Sequence, residues 1–100
     1  MPSESQTTAV LTWNRYETYA SELEKGEFCY RRDDDGRVKW VHFWPYDSPC
    51  ALSAAIAPQR NGSGATWTLS GTDEAPTLQP SVDAVGVWHG FLTNGSAQHV

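Results

Sequence analysis

The chain has 100 residues, 39% of them apolar, with 7 Lys and Arg against 12 Asp and Glu and a formal charge of −5. That size allows one modest core and excludes large cofactor-binding architectures, which run to roughly 150–250 residues. The acidic balance argues against a generic nucleic-acid binder, which needs clustered Lys and Arg, and no apolar run approaches the ~18 residues of a membrane span.

Residues 1–6 are small and polar and are expected to be disordered, leaving residues 7–100 as a single mainly-β domain. The start has neither the basic residues nor the apolar stretch of a secretory signal, so a cytoplasmic location is expected. Cys29 and Cys50 are then read as free thiols, not joined to each other. Thr7 to Trp13 is β-branched and apolar, a plausible short strand. The period then changes. Tyr16, Tyr19, Ala20 and Leu23 recur at helical spacing, Asn14 stands where a cap would, and Lys25-Gly26 gives stop signals. One helix is predicted over residues 15–25.

Glu27 to Arg32 and Arg37 to Trp44 read as two strands joined at Asp33-Asp34-Asp35-Gly36, because Gly takes the positive φ that a tight turn demands. In the second strand Val38, Trp40, His42 and Trp44 fall on one face and Val41 and Phe43 on the other, the pattern of an inner strand. Ala51 to Ala57 is a buried strand or one helical turn. Asn61-Gly62-Ser63-Gly64 is a flexible turn. Ala65 to Ser70 alternates, with Trp67 and Leu69 on one side. Gly71 to Ser81 contains Pro76 and Pro80 and is read as irregular. Val85 to Thr93 is read as one strand with Gly86 and Gly90 inside it, and Asn94-Gly95 turns the chain into a last strand at Ala97 to Val100. The sum is an α+β, mainly-β fold. It has five to seven short antiparallel strands, as a sheet, small sandwich or open barrel, with one short N-terminal helix. The chain has five Trp, four Tyr and three Phe. Most of these are expected to fill the core, Trp67 and Trp88 among them.

Three stretches taken together carry a resemblance. They are Asp35-Gly36-Arg37 leading to Val41-His42-Phe43, then Trp67 to Thr72 with Pro76-Thr77-Leu78-Gln79-Pro80-Ser81-Val82, and then Trp88-His89-Gly90 with Asn94-Gly95. Over roughly residues 26 to 96 the sequence resembles a family of small proteins common in phages and prophages, some of which carry a doubtful ammonia monooxygenase label. The resemblance implies a β-domain with a zinc knuckle of closely spaced cysteines. Here the knuckle position reads Pro45 to Cys50 with a single Cys, and no Cys precedes Trp88. The metal site is therefore expected to be lost; Cys50 with His89 is the only ligand pair the resemblance supports.

The chemistry open to the remaining residues is thin. Cys29, Cys50, His42, His89 and His99 contain no paired spacing of the kind zinc needs. A catalytic Cys–His pair would use Cys50 with His42 or His89, and no nucleophile or phosphate-loop motif is present. The triple-Asp run lacks the ligand spacing of a calcium loop. The resulting expectation is a non-enzymatic, cofactor-free acidic binding module, phage- or prophage-encoded. It would act in the host-cell cytoplasm on a host protein with a basic surface, such as a nucleic-acid-binding or anti-phage defence complex, without touching nucleic acid or membrane itself. Its binding residues are taken as Asp33, Asp34 and Asp35 with Tyr30 and Trp40, and separately Trp44 and Tyr46. The alternative is a degenerate zinc-knuckle domain or a small metal-dependent or Cys–His hydrolase.

Overall fold

Ten short strands arrange as two four-stranded sheets and a hairpin in the computed structural model, which describes residues 8–57 and 65–100. They are β1 (Thr8–Val10), β2 (Thr12–Trp13), β3 (Glu27–Arg32), β4 (Val38–Phe43), β5 (Leu52–Ala55), β6 (Thr68–Gly71), β7 (Pro76–Gln79), β8 (Val82–Ala84), β9 (Trp88–Thr93) and β10 (Ser96–His99). One sheet runs β1-β10-β9-β8, the other β2-β3-β4-β5, and β6 pairs with β7. Pairing is antiparallel throughout these strands except between β2 and β3. The expected disordered stretch at 1–6 and the turn at Asn61–Gly64 lie outside the described residues.

The sheets share one core. Phe28, Tyr30, Val41, Phe43, Leu52 and Ala54 from one meet Val82, Trp88, Leu92 and Ala97 from the other, with Leu78 of the hairpin between them. Leu11 sits where the first strand passes from one sheet to the other; it is 3% exposed and its N–H donates to Gly95 C=O at 2.9 Å. The mainly-β antiparallel fold follows from the alternation in these segments. β4 is the inner strand expected, paired on one side with β3 and on the other with β5.

The predicted helix does not form. Among the described residues the segment 15–25 contains only a 3₁₀ turn, Ala20–Glu22. Only part of its would-be apolar stripe is covered: Leu23 is 5% exposed, but Tyr16 is 92% and Tyr19 51% exposed. A short amphipathic helix draws its stability from tertiary packing. The flanking backbone is committed elsewhere, with Thr12 N–H on Gly26 C=O and Asn14 N–H on Phe28 C=O. The Asn14 side chain donates to Glu27 Oε1 and accepts from Tyr16 N–H, closing a local turn instead of capping a helix.

Residues 71–81 are more regular than predicted. Pro76 opens β7, the strand position that tolerates a missing N–H. The run predicted as one strand from Val85 to Thr93 is broken: Val85–Val87 is a turn with Gly86 at φ +78°, and the strand begins at Trp88. Trp88 is 3% exposed, as expected, whereas Trp67 is only half-buried at the edge of the core.

Cys29 and Cys50 are free thiols in different settings, one buried and one exposed. Burial, and then Glu17, Glu22 and Glu27, push the Cys29 thiol up to about 11. A thiol reagent added to native protein should therefore react quickly with one cysteine per chain, Cys50, and with the second only on unfolding. Two equally fast thiols would mean that Cys29 is not enclosed.

Candidate active site

The hairpin β8–β9 brings a serine hydroxyl and an imidazole together at the surface. Val82 pairs with Gly90, Asp83 with His89 and Ala84 with Trp88. Val82 and Trp88 are each 3% exposed and point into the core. Side chains alternate along a strand, so Ser81 and Asp83 on one side and His89 on the other turn outward together. Ser81 Oγ lies 3.2 Å from His89 Nε2. Asp83 stands directly across the ladder from His89, where Cβ atoms are ~5 Å apart.

Buried neighbours fix this hairpin. Trp88 packs edge-on against Phe43 with ring centroids 5.8 Å apart, and its Nε1–H donates to Asp47 Oδ1 at 2.8 Å. The other oxygen of Asp47 meets His99 Nδ1 at 3.0 Å, and the His99 ring stacks on Trp88. Gly90 is obligatory here, because a Cβ would run into the Gln98 carbonyl and the Trp88 ring. On the serine side, Trp67 Nε1–H donates to Ser81 C=O at 3.1 Å. His89 and Ser81 are thus carried on main chain that two indoles hold. A shallow cleft of about 250 Å³ opens beside His89, lined by Asp83, Val87, His89 and His99 but not by Ser81.

A second Ser–His contact is of another kind. His42 Nδ1 lies 2.8 Å from Ser53 Oγ, but the imidazole is 5% exposed and its Nε2 is buried with no partner among the described residues. Burial, and then Arg31, hold its pKa below the usual imidazole value. With one ring nitrogen facing no polar group, no carboxylate can orient this ring or stabilise its cation. The pair is a structural link between β4 and β5.

The residues expected to bind a partner are not brought together. Asp33 is a turn former: its Oδ1 accepts the N–H groups of Asp35 and Arg37. Asp34 and Asp35 are exposed, and Asp33 rather than Asp35 holds the tip. Tyr30 is 5% exposed and donates its hydroxyl to Asp73 C=O at 2.6 Å. Trp40 is half-buried on the opposite face of that sheet, stacked on His42. Trp44 is half-buried with Nε1–H on Ser48 C=O, and Tyr46 is exposed with its ring over Gly26. Among the described residues no three His, Cys, Asp or Glu side chains gather as a metal site would need. Cys50 makes hydrogen bonds only to Ser48 and none to His42 or His89 among the described residues, so a Cys–His centre has no geometry either. No helix among the described residues is long and apolar enough to cross a membrane.

A small β-domain that offers an accessible serine hydroxyl to an imidazole Nε2, with a carboxylate across the ladder, has the side-chain set of a serine hydrolase. The chain belongs to the BubE family, described as bacterial ubiquitination-like system serine protease, which matches residues 15–100. No curated protein and no solved structure matches it. Membership in a protease family overturns the expectation of a non-enzymatic, phage-encoded inhibitor of host defence. Ser81 and His89 both lie in the Pro76–Val82 and Trp88–Gly90 stretches singled out in the sequence, where nothing in their spacing pairs them. Seven residues separate them, and only the turn at Val85–Val87 puts them face to face.

Proposed function

We propose that this protein is a serine protease of a ubiquitination-like system, with Ser81 as nucleophile and His89 as general base. The observation that carries the reading is the 3.2 Å approach of half-buried Ser81 Oγ to Nε2 of the exposed His89. Ser81 Oγ attacks the scissile carbonyl carbon while His89 Nε2 takes its proton and then delivers it to the departing amine. Water, deprotonated by the same nitrogen, cleaves the acyl ester and restores Ser81. Contact through Nε2 leaves Nδ1 for an orienting carboxylate; we assign that role to Asp83, which stands cross-strand from His89 without an ion pair to it among the described residues. The family description names a serine protease of a bacterial ubiquitination-like system and no bond; we infer a bond at the carboxyl end of a ubiquitin-like modifier, either a peptide bond to extra residues or an amide to a lysine.

Both substrates can be tested by intact mass: a ubiquitin-like modifier of such a system bearing residues beyond its tail, and the modifier joined to a lysine. Cleavage of at least one is expected, with none by Ser81→Ala and a smaller loss for Asp83→Asn than for removal of His89. Cleavage that persists in Ser81→Ala would refute the assignment.

A further inference from the structure

The alternation that turns His89 outward also turns out Phe91, two residues on and ~7 Å away. Phe91 is 44% exposed and Val100 59%. Val100 lies alongside His89, its N–H on the His89 carbonyl at 2.9 Å, while Phe91 faces Gln98 across the ladder. Phe91, Gln98, His99 and Val100 line a recess of about 120 Å³. The next outward residue of β9, Thr93, is polar, as a solvated strand face ordinarily is. Large apolar side chains are thus left in water beside the dyad, and apolar surface gathered at one place marks a binding surface more often than scattered exposure does.

We propose that this recess is the specificity subsite of the Ser81–His89 centre and takes an aliphatic side chain of an extended substrate segment, close to the scissile bond. The proposal rests on reading Ser81 and His89 as a protease dyad. Size and spacing support it. A cavity of ~150 Å³ admits a benzene, so the recess suits one aliphatic side chain. Same-side residues of an extended peptide recur every ~7 Å, the separation of His89 and Phe91. A substrate segment that runs along β9 with its scissile carbonyl by His89 therefore sets a neighbouring side chain over Phe91. The opposite flank carries the exposed carboxylate of Asp83, which gives the site an apolar side and a charged side.

The test uses two fluorophosphonates of equal length, one with an alkyl chain and one with a glycol chain. In each, the Ser81 oxygen bonds phosphorus, fluoride leaves, and His89 takes the hydroxyl proton. The ratio of the two labelling rates is the readout. Wild type should react about 10-fold or more faster with the alkyl probe, the discrimination a few methylenes give in an apolar site. Phe91→Ser should bring the ratio close to one, and Val100→Ser gives the same comparison should the first variant melt early. A ratio near one in wild type, or an unchanged ratio in both variants, would overturn the subsite and leave the dyad standing. Failure of both probes to modify Ser81 would remove the dyad and the subsite with it.

Discussion

Replacing His89 by Gln is expected to lower the hydrolytic rate by about 10²–10⁴-fold, the usual contribution of a positioned general base, while the melting temperature stays close to wild type. The two expectations come from the same structural fact. His89 is exposed, and its side chain makes one hydrogen bond among the described residues, to Ser81 Oγ. Surface substitutions away from buried features change stability by about 0.5 kcal/mol or less. Gln keeps a polar side chain of similar reach but cannot take a proton near neutral pH. Steady-state kinetics with parallel thermal melts separate the cases. Full activity in His89→Gln would mean that another group acts as base. His42→Gln is the matched comparison, because His42 has the other Ser–His contact; a rate loss there with an intact fold would move the centre to Ser53.

Trp88→Ala should have the largest effect on stability. The indole is 3% exposed, packs on Phe43, stacks with His99 and bonds Asp47. Emptying such a site costs about 3–5 kcal/mol out of a total of roughly 5–15 for a domain. For a domain of this size each kcal/mol is worth about 4–8 °C, so the melting point should fall by well over 10 °C or the variant should fail to fold. Because Trp88 immediately precedes His89, activity should fall with it. A variant melting within a few degrees of wild type would place the indole outside the core.

Most of the fold is legible in the sequence where short-range chemistry decides it. Asp33 to Gly36 and Asn94-Gly95 turn the chain where their backbone preferences say, with Gly36 at φ +81°, Asn94 at +49° and Gly95 at +79°. Alternation in Glu27–Arg32 and Val38–Phe43 gives the right faces. The spacing of Tyr16, Tyr19, Ala20 and Leu23 suits a helix. It loses because the parallel β2–β3 pairing claims the backbone on either side, a contact between segments that periodicity does not encode. β7 is hidden by Pro76, its first residue, and by Pro80 just beyond its end.

The site is harder to read than the fold for a related cause. Ser81 looks like loop and His89 like the middle of a strand if Val85 to Thr93 is taken as continuous, and the two then have no reason to meet. Glycine does decide the matter, but at Gly86, whose positive φ reverses the chain. A search by catalytic sequence motif finds nothing because this dyad is assembled across a ladder.

Peptide mapping after exposure to diisopropyl fluorophosphate tests the central claim most directly. One adduct per chain on Ser81, absent in Ser81→Ala and formed far more slowly in His89→Gln, is the result predicted. An active enzyme whose Ser81 stays unmodified, or whose adduct sits on Ser53, would contradict it.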